Sequence, residues 1–361
     1  MDFTFSAEQD QLRTVARQFL ANESPSTYVR AMIDDERGFT DEWWAQIVSL
    51  GWTGLLVPSD VGDGLGMGLV DAVVLQEEMG KLPLPGPFFS SAICATTLAA
   101  RLSDTSLLRD LASGTRRATV AIEEGGAGDP LGHIVTAADA AGRLTGLKPV
   151  VLDGHTADVA LVVAVDEGGG LAVYAVDSPA AELVPALDVT RKMTRLVLDQ
   201  RPAQRLGPPG DQTALIARAI DDMAVALCAE TVGSCDRALE MAIEYAKARV
   251  QFDRPIATFQ AIKHKIVDML HQLELSRVGT HYAAWTSDVD DPERERAAAM
   301  CKGFVGEAAN MITGENIQVH GGVGFTWDVD CHLLFRRVKQ DDVLFGRQGW
   351  ERQRLADLVL G

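Results

Sequence analysis

The spacing of apolar residues changes twice along the chain. Up to about residue 112 it is helical: Leu12, Val15, Phe19 and Leu20 follow a helix start at Ser6, Glu8 and Gln9, and Asp41 to Leu50 makes a second amphipathic stretch closed by Gly51. From about Thr115 to Leu206 it shortens to two, in valine-rich runs between Gly and Asp clusters. Thr119–Ile122, Gly142–Gly146, Val159–Val165, Leu171–Val176 and Arg195–Leu198 are predicted strands, with a hairpin loop at Asp166–Gly170. Pro202, Pro208 and Pro209 punctuate the exit, and the helical period then returns. Ile216, Ile220, Met223 and Leu227 lie on one face, as do Phe259, Ile262, Ile266, Met269 and Leu273. Asp291 and Pro292 read as the cap and first turn of a helix running through Met300, Phe304, Ala308 and Met311, and a last helix is predicted to start near Gln348. The pattern predicts an α+β, mostly α chain in three parts: an N-terminal helical domain (1–112), a middle antiparallel β-sandwich or small barrel (113–208) and a C-terminal four-helix bundle (209–361).

Composition narrows the function classes. With 361 residues, 47% apolar and 23% charged, the chain has the make-up of a multi-domain globular protein. A net charge of -18 disfavours nucleic acid and anionic membranes as partners. Five cysteines without a Cys-x-x-Cys pair argue against a disulfide frame or zinc ribbon. MDFTFSAEQDQL shows no basic segment followed by an apolar run, and no apolar run reaches about 18 residues, so a soluble, cytoplasmic protein is expected. Gly62, Gly64, Gly66 and Gly68 do not satisfy Gly-x-Gly-x-x-Gly and read as a permissive loop. His264, Asp268 and His271 have metal-ligand spacing, yet they fall opposite the Ile262, Ile266 and Met269 face; a solvated or subunit-contact face is expected there, and no metal.

The chemistry concentrates between Glu244 and Gln260. A long helix arrives at Tyr245, a cationic turn carries Arg249 and Gln251, Pro255 breaks the helix and a second helix starts near Thr258. Arg249 offers fixed donors for a phosphate or carboxylate, and Gln251 and Gln260 can each donate and accept. The run YAKARVQFDRPIATFQAIKHKIVDM resembles the flavin corner of the acyl-CoA dehydrogenase family, where Tyr-Ala-x-x-Arg-x-Gln-Phe-x-x-Pro-Ile leads to Phe-Gln and Asp-Met. IQVHGGVGF is similar to that family's Gln-x-x-Gly-Gly-x-Gly-Phe loop, and GWTGLLVP followed by EEMG resembles its N-terminal segment. The resemblance spans nearly the whole chain. It implies FAD as cofactor, dehydrogenation of an acyl-CoA thioester to a 2-enoyl-CoA, and an electron-transfer flavoprotein as acceptor. It also implies that Arg249, Gln251, Phe252, Gln260, Gln318, His320, Gly321 and Gly322 contact the FAD of a neighbouring subunit.

Other family features are eroded. The Thr-Glu-x-x-x-Gly-Ser-Asp loop is AIEEGGAGDP here, keeping Glu123 or Glu124 and Gly128-Asp129, and Gly-x-Lys-x-Trp-Ile-Thr is Gly146-Leu147-Lys148-Pro149-Val150-Val151-Leu152. The two placements of the family's glutamate base fall on Arg347 and Met223, neither of which can accept a proton at neutral pH. Groups reaching toward a neighbour's flavin are kept, while those building a site within the chain are lost. The resemblance therefore implies a non-catalytic subunit that completes the FAD site of a paralogous catalytic chain in an alpha2beta2 heterotetramer, with a steroid side-chain acyl-CoA as substrate by family analogy. The alternatives are a self-sufficient homo-oligomer using Asp222 or Glu351 as a displaced base, or base-free chemistry, and a structural paralogue that binds no flavin.

Overall fold

A computed structural model describes residues 5–125 and 128–361; Met1–Thr4 of the N-terminal reading and Gly126–Ala127 of the AIEEGGAGDP loop lie outside the described residues. The chain opens with α1 (Ala7–Glu23), α2 (Ser26–Asp34), α3 (Asp41–Ser49) and α4 (Leu69–Gly80), then a π-helical turn at Phe88–Ala95 continuing into α5 (Thr96–Arg101), and α6 (Thr105–Ala112). The start at Ser6 is a reciprocal cap: Ser6 Oγ accepts from Gln9 N at 3.2 Å, and Gln9 Oε1 accepts from Ser6 N at 3.0 Å. Gly51 ends the α3 region with a φ of 73°, a left-handed conformation that favours glycine.

The middle segment forms β1 (Ala118–Ala121), β2 (Ala137–Ala138), β3 (Arg143–Leu152), β4 (Val159–Val165), β5 (Leu171–Asp177), β6 (Glu182–Val184), β7 (Met193–Pro202) and β8 (Gln204–Arg205). They make one sheet in the order β6-β7-β3-β2-β4-β5-β8, with β1 also on β4. Its pairings are antiparallel except where β1 and β2 join β4, so the expectation of a purely antiparallel unit is corrected. The strand predicted to end at Gly146 runs on to Leu152, because a register shift between Lys148 and Val151 lets it pass Pro149, which has no N–H to donate.

The last part holds α7 (Thr213–Ala248), a hairpin of β9 (Val250–Gln251) and β10 (Arg254–Pro255), α8 (Gln260–Asp288), α9 (Arg294–His320), α10 (Cys331–Asp341) and α11 (Gln348–Leu360). Three long helices and two short ones thus replace the four long helices expected. α9 begins two residues past Pro292, because Asp291 first makes a turn that accepts from Glu293 N and Arg294 N. All five cysteines are free and buried. The α4 and α7 backbones touch: a Cβ on Gly80 would lie 1.9 Å from the Glu230 carbonyl oxygen, and one on Gly233 would lie 2.0 Å from that of Glu77. Through this crossing one hydrophobic core runs continuously from α1 to α10 and onto β1 and β4.

Candidate functional site

α7 stops at Ala248 because Arg249 turns to extended backbone (φ -75°, ψ 121°), with its N–H still donating to the Tyr245 carbonyl at 2.8 Å. The break precedes Pro255, so the cationic turn is a two-residue hairpin, with Pro255 tolerated on its edge strand. Its tip residues Phe252 and Asp253 both have positive φ, 53° and 62°, a conformation that costs about 1 kcal/mol or more at a non-glycine residue. Phe252 is 85% exposed at that strained tip. Arg249, Gln251 and Gln260 are exposed as well, and Arg249 has no ion-pair partner among the described residues.

The second component arrives from α9. His320 stacks on Tyr245 of α7, with ring centroids 4.3 Å apart and an interplanar angle of 27°, which holds the start of the Gly321–Phe325 turn at the last turn of α7. His320 is buried, its Nδ1 lies 2.9 Å from the Asn316 carbonyl, and burial lowers its pKa. Its ring therefore braces the loop against α7. Gln318, Gly321 and Gly322 do face outward, and a Cβ on either glycine would meet nothing within 4 Å. Gly321 has a φ of 65° that favours glycine, whereas Gly322 leaves backbone bare toward solvent. An exposed guanidinium, three carboxamides and bare glycine backbone have the donor chemistry a diphosphate takes.

Beside β1 and β3, Val120, Ile122, Val150, Leu152, Leu344 and Phe345, with Glu123, line a narrow space of about 20 Å³. Phe345 N donates to Glu123 Oε1 at 3.0 Å, and the Phe345 ring lies 6.4 Å from that of Phe89. The two acidic candidates have different roles. Glu124 receives Lys148 Nζ at 2.5 Å and the N–H groups of Val135 and Thr136 at 2.7 and 2.9 Å, and Lys148 also donates to the Ile122 carbonyl. Burial pulls the Lys148 ammonium down to about 8 against the support of Glu124.

Neither base position holds an acceptor. Arg347 caps α11 and donates its N–H to the Gly128 carbonyl at 3.1 Å, and Met223 is fully buried. Asp222 is clamped by Arg101 at 2.6 Å and receives the Ser287 hydroxyl. Glu351 is buried beside Arg354, 3.4 Å away, which itself grips Asp221 at 2.6 and 2.9 Å. Burial pushes the Glu351 carboxyl up from 4.5 to about 7. Because this folded value is raised, the folded chain keeps a proton that the unfolded chain releases, so stability from this group is full below about pH 4.5 and falls as pH rises toward 7. Glu351→Gln is expected to flatten that part of the pH dependence, measured as the urea midpoint between pH 4 and about 8; an unchanged slope contradicts the assignment.

Sequence reasoning missed a buried polar cluster between sheet and helices. Arg337 on α10 bonds Asp188, Glu230 and Thr190, while Arg191 bonds Glu230 at 2.6 Å and Asp341 at 2.9 Å, all buried. The cluster's signal in the sequence is Glu230 within an apolar helical run. His264, Asp268 and His271 lie on the exposed face of α8, as expected.

A helical N-terminal part, a central sheet and a helical C-terminal part, with a cationic corner at the end of a long helix, define a flavoprotein dehydrogenase architecture. Residues 6–115 match the acyl-CoA dehydrogenase N-terminal domain and residues 213–360 the C-terminal domain, and the chain belongs to the acyl-CoA dehydrogenase family, oxidoreductases that use FAD. It is 30% identical to the acyl-CoA dehydrogenase IpdE2 of Mycobacterium tuberculosis over 92% of this chain and 91% of that protein. It is 33% identical over 97% of its length to FadE34 of the same organism, spanning 48% of that longer protein. Among solved structures, the Tcur3481-Tcur3483 steroid ACAD G363A variant aligns with a TM-score of 0.88 at 29% identity, covering 98% of each chain. The ChsE4-ChsE5 complex from Mycobacterium tuberculosis aligns at 0.89 and 25% identity, covering 100% of this chain and 99% of that one.

Toward FAD, the corner offers donors suited to a diphosphate, whereas the space beside β1 and β3, about 20 Å³, is far below the roughly 300 Å³ at which ligand pockets begin.

Proposed function

We propose that this chain is the non-catalytic subunit of a heteromeric acyl-CoA dehydrogenase, completing the FAD site of a paralogous catalytic chain in an alpha2beta2 assembly. The observation that carries the reading is the contrast between the narrow space at Phe345 and the bare corner at Arg249. In this reading Arg249, Gln251, Gln260 and Gln318, with the Gly321–Gly322 backbone, hold the diphosphate and adenine end of a cofactor whose reactive ring lies against the partner. The partner also supplies the base that removes the alpha proton of the acyl-CoA. Likeness to a protein named as a steroid ACAD and to a complex of two named chains supports a steroid-derived acyl-CoA and a two-chain enzyme. An electron-transfer flavoprotein is the proposed acceptor, and the cytoplasm the proposed location.

Expression with and without the paralogous chain tests this. The pair is expected to carry one FAD per two chains and to dehydrogenate acyl-CoA, and the lone chain to purify colourless. Stoichiometric flavin and turnover in the lone chain would overturn the proposal. One observation favours a second reading, a self-sufficient homo-oligomer: the Glu351 carboxyl titrates near 7, the range suited to a general base, and its Oε1 packs beside Gly346, next to the position of the family base. Glu351→Gln separates the two, since abolished turnover at intact flavin content belongs only to the second.

A further inference from the structure

Where α1, α2, the turn after α4 and the middle of α7 meet, the fold leaves a cavity of about 340 Å³. None of its lining residues belongs to the flavin corner, the narrow space at Phe345 or either base position. Its volume falls within the range of small-molecule pockets, roughly 300–1,000 Å³. Leu20, Ala21, Met79, Leu82 and Leu84 give it apolar walls, and the unbranched thioether of Met79 lets one wall adapt to the shape of an occupant.

The charges on its lining are unevenly engaged. Glu78, nearly fully buried, accepts two bonds from Arg17 at 3.1 and 2.8 Å, and Asp330 accepts two from Arg30 at 3.0 and 2.6 Å, so both lining carboxylates are occupied. The other two lining cations differ. Arg237 pairs with the half-exposed Glu240 at 3.1 Å, whereas Lys81 is shared between the partly buried Asp236 at 3.0 Å and the buried Glu78 at 3.7 Å. A solvent-screened pair such as Arg237–Glu240 exchanges readily for a better-placed anion. In a chain of net charge -18, an anion is admitted only where such cations gather.

We propose that this cavity binds a compact amphipathic carboxylate, its hydrocarbon against Leu20, Met79, Leu82 and Leu84 and its carboxylate on Arg237 and Lys81. The assignment is independent of the flavin reading, because no residue is shared between them. Calorimetric titration of the chain with octanoate, and separately with octanol, tests it. Saturable binding of octanoate at one per chain is expected. Ala21→Trp, which fills the mouth, should abolish it, and Arg237→Gln should weaken octanoate about tenfold or more while leaving octanol unchanged. Absence of saturable heat at millimolar octanoate, binding to Ala21→Trp equal to the parent, or equal weakening of acid and alcohol by Arg237→Gln would each overturn the proposal. Arg237 is a partly exposed side chain at the rim, so its variant carries the test even where the tryptophan disturbs folding.

Discussion

Arg249→Ala, made in this chain and combined with an unaltered partner, is expected to strip flavin from the pair while this chain stays folded. The guanidinium is exposed and without an ion-pair partner among the described residues, so its removal leaves no buried group unsatisfied and should change stability by less than about 0.5 kcal/mol. A charge-assisted bond to a phosphate contributes about 1.5–3 kcal/mol, corresponding to a roughly ten- to hundredfold weaker hold on FAD. Flavin absorbance after gel filtration and the melting temperature of the isolated chain are the two measurements. Full flavin occupancy in the variant complex would remove Arg249 from the cofactor site and favour a structural paralogue that binds none. Arg249→Lys keeps the charge without the fork and should recover only part of the affinity.

Arg337→Ala should do the reverse, damaging the fold while leaving the corner's chemistry untouched. It removes the cation shared by Asp188 and Glu230 and leaves the Thr190 hydroxyl and the Leu84 carbonyl without the donor at 2.7 and 3.1 Å. Breaking a buried pair by deleting one partner costs about 3–5 kcal/mol, a large part of the 5–15 kcal/mol that holds a typical domain together. The same deletion leaves Arg191 as the remaining guanidinium for both Glu230 and Asp341; burial already lifts the Asp341 carboxyl to about 7. Urea unfolding of the isolated chain should show the midpoint falling steeply, with poor soluble yield as its cellular counterpart. An unfolding free energy within about 1 kcal/mol of the parent would show that the cluster does not join sheet to bundle as the geometry requires.

What could be read from the sequence alone followed from short-range rules. The Ser6 cap, the hairpin loop at Asp166–Gly170 and the α11 start at Gln348 were legible because caps, turns and periodicity act over a few residues. The corner residues, and the Arg and Met at the two positions matched to the family's base, were legible through resemblance to the family, which reads identities in order. The hairpin tip was not: Phe252 and Asp253 are not the Asn-Gly that signals such a turn, yet the two-residue connection between β9 and β10 places both at positive φ. Nor could the choice between Glu123 and Glu124 be made, because it depends on Lys148, a strand away, and on Phe345, more than 200 residues on. The sequence by itself determined which segments are helix or strand and which chemical groups the chain owns. Tertiary structure decided which charges are buried together, that Phe345 lines a narrow space beside Glu123, and that Arg249 is left facing outward, since burial and pairing join residues as far apart as the 149 positions between Asp188 and Arg337, where no local pattern reaches.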